Sequence, residues 1–116
     1  MKQVLSILAM GILVFIGTTI VAMAGDVRLF VHHEVADYAV WKKGYNDYAK
    51  TQKKMGVIYQ AVYQSIDNPN DVTVIHDFHS AEKAKAFVNS PDLKATMEKL
   101  GVKGEPHIWY TTKGKK

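Results

Sequence analysis

The chain has 116 residues, no cysteine and a formal net charge of +4, from 15 Lys and Arg against 11 Asp and Glu. Without cysteine it has no disulfide framework, thiol nucleophile, Cys-ligated metal or covalently attached c-type haem. The small basic excess is not arranged as a cluster interleaved with aromatic residues, so nucleic-acid binding is not indicated.

The N-terminal segment has the pattern of a secretory signal peptide. Residues 1–24 begin with a short basic start, continue as an apolar stretch, and end on the small residues Ala22 and Ala24. This predicts cleavage after Ala24, a periplasmic or secreted domain over 25–112, and a basic tail over 113–116. The apolar stretch is also about as long as a bilayer span, so an uncleaved N-terminal membrane anchor is the alternative.

A strand and a helix are predicted at the start of the domain. Val27–His33 is rich in β-forming residues, which predicts the first strand. Asp37 is typical of a helix N-cap, and Gly56 can end the helix in the left-handed conformation. Between them, large residues recur at the spacing of one helical face, which we expect to lie in the core; this face carries Trp41, Tyr45, Tyr48 and Met55.

A hairpin follows the first helix. Val57–Ser65 and Val72–Phe78 both have the composition of strands. The segment Asp67-Asn68-Pro69-Asn70 between them is a dense turn signal. The short connection therefore predicts that the second and third strands pair antiparallel.

The last third of the chain predicts an interrupted helix and a final strand. Ser80 is positioned to cap the helix, which is interrupted at Ser90-Pro91. There Ser90 can cap again and Pro91 can take the first helical position. Gly101 closes the helix, and Pro106–Thr111 is the last strand.

This order, β-α-β-β-α-β, predicts a ferredoxin-like α+β fold. Right-handed crossovers then give a four-stranded antiparallel sheet in the order 4-1-3-2 with both helices on one face. Both faces of the strands carry bulky side chains, yet the helices can cover only one. We therefore predict a homodimer in which the open sheet face packs on that of a second copy.

Four segments carry a further pattern: VHHxVxDYxxW at 31–41, DNPND at 67–71, VxHxF at 74–78 and AxAFxxSPxL at 84–93. Together they resemble small proteins of the dimeric α+β barrel superfamily, closest to the antibiotic-biosynthesis-monooxygenase-like group, over roughly residues 27–110. The resemblance implies a dimer without a bound organic cofactor and, among the activities of the group, oxygenation of polyketide-like phenols. Its oxygenases use a pocket lined by Asn, Trp, Tyr and His. Their catalytic Asn motif is not matched, because the asparagines fall on a helix, a turn and a helix end: Asn46, Asn68, Asn70 and Asn89.

The adjacent histidines are candidates for chemistry. Because neighbours on a strand point to opposite faces, His32 shares a side with Glu34 while His33 faces the other way. The predicted strand order brings His107 close to His32 or His33. A cluster of His32, Glu34 and His107 is thus possible, either as a general base with its acid or as a zinc, nickel or copper site. The alternative is that these are polar strand-end histidines, hydrogen-bonded to loops or across the dimer.

The predicted site is a pocket in which His32 and His76 act as catalytic bases and Phe30, His107 and Trp109 hold the ligand. Its function would be cofactor-free chemistry on a hydrophobic, aromatic small molecule, by an exported enzyme-like protein. A second hypothesis is a periplasmic dimer that binds a ligand or metal ion without turnover. A third is a dimer with a purely structural role.

Overall fold

The structure, a computed structural model, describes residues 26–115; the predicted signal peptide and the last lysine lie outside this part of the chain. No helix in the described part is long and apolar enough to cross a membrane. The elements run in the predicted order, with each helical region divided in two. They are β1 (Val27–Val35), α1 (Tyr38–Asp47), α2 (Ala49–Lys54), β2 (Tyr59–Gln64), β3 (Asp71–Phe78), α3 (Ala81–Val88), α4 (Pro91–Lys99) and β4 (Val102–Thr112).

The four strands form one antiparallel sheet in the order β2-β3-β1-β4. This is the predicted 4-1-3-2 order, which is confirmed. In the two central pairings, Leu29 lies opposite His76 of β3 and Tyr110 of β4. These registers decide which side chains share a face, because alternate residues point to opposite sides of the sheet.

Strand β4 begins four residues earlier than predicted, at Val102 instead of Pro106. Its pairing with β1 shifts between His32 and Glu34, so that extra residues of β4 stand opposite a short piece of β1. Gly104, with φ of 70°, supplies a positive backbone angle in this bulge. Gly and Pro, which end a strand in most sequences, here mark a bulge within one.

Local chemistry sets three helix starts as predicted. The side chains of Asp37, Ser80 and Ser90 accept hydrogen bonds from the backbone N–H groups three residues on, at 3.2, 3.2 and 3.3 Å. Pro91 occupies the first turn of α4, where its missing N–H costs nothing. Gly56, with φ of 103°, follows α2 as expected of a terminating glycine.

The prediction of one continuous helix from Tyr38 to Met55 is wrong. Helix α1 ends at Asp47, and the N–H of Tyr48 is shared between the carbonyl oxygens of Gly44 and Tyr45, both at 3.1 Å. Such a shared hydrogen bond is common where a helix ends. The Tyr48 hydroxyl donates a 2.7 Å hydrogen bond to Asp92 Oδ2 at the start of α4.

The core lies between the helices and one face of the sheet. Its fully buried members include Leu29, Val72, Phe78 and Ala84. Strands β1 and β3 contribute three core members each, and in β3 the five consecutive residues from Val74 to Phe78 are all buried. This strand is therefore enclosed even at positions that point away from the helices.

The other face of the sheet, here called the open face, is not covered by any element of the described residues. Large side chains stand exposed on it, including Trp109 at 37% and Tyr63 at 55% of their full exposure. A two-pronged ion pair crosses it, with Arg28 Nε and Nη2 donating to the Asp77 carboxylate at 2.7 and 2.9 Å. The Arg28 guanidinium also lies over the ring of Tyr59, 5.6 Å from its centre.

Candidate functional site

A cavity of about 50 Å3 lies between the sheet and the helices. The sheet contributes one histidine from each central strand, His33 from β1 and His76 from β3. Helix α1 contributes Trp41 and Tyr45, and Gln52 of α2 reaches the same space. Apolar side chains complete the wall; they are Val31, Val74, Phe87, Leu93, Met97 and Leu100.

His76 and Tyr45 form a buried, uncharged pair. The Tyr45 hydroxyl lies 2.8 Å from His76 Nε2, and the two rings are stacked at 5.9 Å between centres. Burial lowers the pKa of His76 from 6.5 to about 4, so the imidazole is neutral at pH 7. Burial also raises the pKa of Tyr45 above its ordinary range, and the neighbouring Gln52 side chain opposes this only in part.

Three buried polar atoms of residues that line this cavity have no hydrogen-bond partner in the described part of the chain. They are His33 Nδ1, Gln52 Oε1 and His76 Nδ1. An unsatisfied buried donor or acceptor costs about 1–3 kcal/mol, so such groups are rare in folded proteins. A ligand or water that paired them would recover this free energy.

The pairing with Tyr45 limits what His76 can offer the cavity. If His76 Nε2 carries the proton and donates a hydrogen bond to the Tyr45 hydroxyl oxygen, Nδ1 is a free acceptor. If the Tyr45 hydroxyl donates to Nε2, Nδ1 carries a proton and is a free donor. In both tautomers one ring nitrogen is satisfied and the other is available, which is the arrangement of a proton carrier between a ligand and a tyrosine.

His33 has a similar environment at the other end of the cavity. Its ring stands edge-on to Trp41, with 5.6 Å between the ring centres. Burial lowers its pKa, so this histidine also favours the neutral form. The predicted separation of His32 and His33 onto opposite faces is confirmed, since His33 points to the helices and His32 to the open face.

Four residues of the predicted pocket lie together on the open face. Phe30 stacks on Trp109 with 4.9 Å between ring centres, and His107 lies 5.0 Å from Trp109. His32 is opposite His107 in the β1–β4 pairing, and its Nε2 lies 2.7 Å from Asp71 Oδ1. These side chains form an aromatic and polar ledge on an exposed surface, and none of the helices in the described residues lies over them.

The fifth predicted residue, His76, is not part of this group. It pairs with Leu29, which faces the helices, so His76 lies on the side of the sheet opposite to His32. The one pocket expected to hold both histidines is therefore two places, an open ledge and an enclosed cavity. The physical reason is alternation along β3, since His76 shares its side of the strand with Val74 and Phe78, which are buried against the helices.

The metal alternative does not find its ligands assembled. Among residues 26–115, no three His, Asp or Glu side chains are grouped so that they could hold an ion. The bulge in β4 separates Glu34, which pairs with Lys103, from the pair of His32 and His107. His32 is instead engaged by Asp71.

The predicted pocket left out Gln52, His33 and Asp71, although His33 was among the candidate histidines. A signal for Gln52 was present, because it falls on the same helical face as Trp41 and Tyr45. A polar residue at a core position of an amphipathic helix indicates a buried polar function. Asp71 carried no such signal, because its contact with His32 depends on strand pairing.

Comparisons with known proteins agree on the fold. No protein-family model and no curated protein matches the chain. Among solved structures, SnoaB, a cofactor-independent oxygenase from Streptomyces nogalater, superposes with a TM-score of 0.65 at 12% identity over 80% of this chain and 97% of its own. A candidate antibiotic biosynthesis monooxygenase from Bordetella bronchiseptica gives 0.67 at 17% identity, over 78% and 98% of the two chains.

A third structure, a candidate antibiotic biosynthesis monooxygenase from Caulobacter crescentus, gives a TM-score of 0.63 at 19% identity, over 80% and 93% of the chains. At these identities the similarity shows the fold and not the reaction. The chain therefore has a ferredoxin-like α+β fold like that of these solved structures. The predicted fold class is confirmed.

Proposed function

We propose that this chain, which folds like the antibiotic biosynthesis monooxygenases, binds a small, largely apolar molecule in the cavity between its sheet and helices. His76 exchanges a proton with that molecule, without an organic cofactor. The observation that carries the proposal is the set of three unpartnered polar atoms around one otherwise apolar cavity. Convergent polar groups in an apolar cavity are the usual character of a small-molecule site.

The walls favour a planar ligand with a polar edge. The indole of Trp41 stacks on the ring of Tyr45 at 4.9 Å, and Phe87 meets His76 edge-on at 5.2 Å. Aromatic surfaces of this kind favour another ring. A hydroxyl or carbonyl group on the ligand would satisfy the polar atoms of His76 and Gln52, so a phenol is the simplest molecule that carries both the ring and the polar group.

The proposed chemistry is proton removal from such a phenol. A neutral His76 whose Nε2–H is held by Tyr45 presents Nδ1 as the accepting atom. The low pKa of His76 makes it a weak base, so the ligand must be acidified by its surroundings or react quickly once deprotonated. Reaction of the resulting anion with dioxygen is supported by the fold that this chain shares with SnoaB, itself a cofactor-independent oxygenase.

The test is ligand binding and oxygen uptake with phenol and 1-naphthol. We expect binding measured by calorimetry, with weaker binding in Gln52→Leu. We expect oxygen uptake to fall by about 10²–10⁴-fold in His76→Gln, the range typical of a lost acid–base group. His79→Gln, which changes an exposed histidine, is the matched control.

The outcomes separate the parts of this proposal. If neither compound binds, the ligand class is refuted. If both bind without oxygen uptake, the protein is a binding protein without turnover. Unchanged uptake in His76→Gln would remove His76 from the reaction.

We also propose that a second copy covers the open face. Exposed aromatic side chains there, with the buried Ile75 at its centre, support an apolar interface rather than a solvated surface. The same face holds His32, His107 and Trp109, so these residues would contact the partner and not a free ligand. The proposed ligand site is therefore the cavity, and not the ledge that carries most of the predicted pocket.

Export remains a proposal from the sequence. The small residues Ala22 and Ala24 after an apolar stretch support cleavage and a periplasmic or secreted mature protein. Mass spectrometry of the protein from the periplasmic fraction would give a first residue of Gly25. A full-length mass in the membrane fraction would favour the N-terminal anchor instead.

A further inference from the structure

Helix α4 is the least enclosed wall of the cavity. None of its residues is buried, although Leu93, Thr96 and Met97 all line the cavity. By contrast, α1 and α3 each bury two residues against the sheet. An element with little buried surface opens at low free-energy cost, so α4 is the side from which the cavity is reached.

The last contact of this wall is made by Leu100, the residue that follows α4. It lines the cavity and also lies directly on Gly44 of α1. A Cβ atom at position 44 would come within 2.9 Å of Leu100 Cδ1 and 3.0 Å of its Cγ, and closer still to Cδ2. Any side chain at position 44 would therefore displace Leu100.

The packing of Leu100 explains why glycine stands at position 44. It lies within α1, and its backbone angles are not in the positive-φ set that requires glycine. Glycine within a helix is less favourable than alanine because its backbone loses more freedom on folding. The close packing of Leu100 on Gly44 is a contact that alanine at this position could not keep unchanged.

The small size of the cavity suggests that the packing of Leu100 on Gly44 limits which ligands can enter. With Leu100 on Gly44 the cavity measures about 50 Å3. An enclosed cavity that accepts benzene measures about 150 Å3 in a well-studied case. A six-membered ring is thus larger than the space present while Leu100 packs on Gly44, and displacement of Leu100, which lines this space, would enlarge it.

We infer that Leu100, seated on Gly44, determines the size of ligand that the cavity accepts, and that ring-containing ligands enter only when Leu100 is displaced. This rests on the proposed function, because it concerns the same cavity.

The contact between Leu100 and Gly44 can be tested without a ligand, by thermal unfolding of Gly44→Ala, Leu100→Ala and the double variant. In the Leu100→Ala background, Gly44→Ala removes only the cost of glycine, so the midpoint should rise by about 2–8 °C. In the wild type the same change also displaces Leu100, so the midpoint should rise less or fall. Equal shifts of the midpoint in the two backgrounds would refute the contact between Leu100 and Gly44, since the effects of substitutions at independent sites are additive.

Access to the cavity can be followed through Trp41, which lines it. In a Trp109→Phe background Trp41 is the only tryptophan, and acrylamide quenching of its fluorescence reports entry of a small neutral molecule. We expect weak quenching in that background and several-fold stronger quenching after adding Gly44→Ala or Leu100→Ala. Quenching that neither substitution changes would refute control of access by Leu100.

Ligand size is then compared with phenol and 1-naphthol. Both substitutions should improve binding of 1-naphthol much more than binding of phenol. If quenching and the unfolding midpoints change as expected but neither compound binds, the proposed function is refuted, while the control of access by Leu100 is supported. If both compounds bind equally to all variants, the function stands and the size limit fails.

Discussion

At the scale of single residues, the cavity concentrates groups that are expensive to bury. His76 is 4% exposed, its side chain makes one hydrogen bond within the described residues, and desolvation lowers its pKa to about 4. His33 is buried with a pKa shifted in the same direction. Both histidines are neutral in the folded protein over a pH range where the unfolded chain would protonate them.

The sign of the resulting pH dependence follows from linkage. The folded pKa of His76 lies below its ordinary value of 6.5, so the unfolded state binds the proton first as the pH falls. Stability is therefore lost between about pH 6.5 and pH 4, by up to about 3 kcal/mol for this group. Urea unfolding of wild type and His76→Gln across this range should show a flatter pH profile in the variant.

The matched control for that measurement is His79→Gln, which removes an exposed imidazole. The comparison concerns the slope with pH and not the absolute stability, so any packing defect caused by the substitution does not decide it. An equal flattening in both variants would show that the pH dependence does not come from the buried His76.

The sequence predicted part of this residue-scale arrangement. Alternation along β1 was enough to send His32 and His33 to opposite faces. Alternation along β3 likewise places His76 on the side of Val74 and Phe78, which are buried against the helices, and the predicted pocket did not use this signal. Local composition contains no measure of how β3 is aligned with β1, which is settled by the packing of both strands at once.

At the scale of elements, the helices differ in how firmly they are attached. Helix α3 buries Ala84 and Phe87, whereas α4 buries nothing and is held by partly exposed contacts, including the bond from Tyr48 to Asp92. Secondary-structure elements with less buried surface open in smaller, local steps. We expect α4 to open separately from the sheet.

Two equivalent cap substitutions test this difference. Ser90→Ala and Ser80→Ala each remove a side-chain hydrogen bond at a helix start, which costs about 1 kcal/mol. After Ser90→Ala, hydrogen exchange should accelerate in α4 while the β1 amides change little. After Ser80→Ala, global unfolding should become easier and the β1 amides should exchange faster; the same pattern in both variants would contradict a separately opening α4.

Element boundaries followed the sequence where the cause was local. The caps at Asp37, Ser80 and Ser90 depend on one side chain and a backbone N–H three residues away, and all three were predicted. The break at Tyr48 was not, because no glycine or proline marks it. Its partner Asp92 is distant in the chain, so the contact belongs to tertiary structure.

At the scale of the whole molecule, the sheet has one face filled by helices and one without a cover in the described residues. The open face combines exposed rings with the pair of Arg28 and Asp77, whose carboxylate is already buried. A second copy would remove the rings from water while leaving this pair internally satisfied. The proposed dimer therefore needs no new partner for either charge.

Trp109→Glu tests the dimer by placing a charge at the centre of the aromatic ledge. The wild type should be dimeric by light scattering at micromolar concentration, and the variant monomeric with an unchanged far-ultraviolet spectrum. Val40→Glu is the control, because Val40 is a 61% exposed apolar residue on α1, away from the open face. A monomeric wild type, or a dimeric Trp109→Glu variant, would refute the proposed interface.

The enclosure of β3 has a consequence for how this sequence can drift over evolutionary time. Along most strands the alternate residues on one face are free to vary, and neutral substitutions accumulate at those positions. Between Val74 and Phe78 the residues on neither face are free, because those on one face lie toward the cavity and those on the other are buried on the open face. Substitutions should therefore be tolerated least in this short segment, and it would keep its identity longest as related chains diverged.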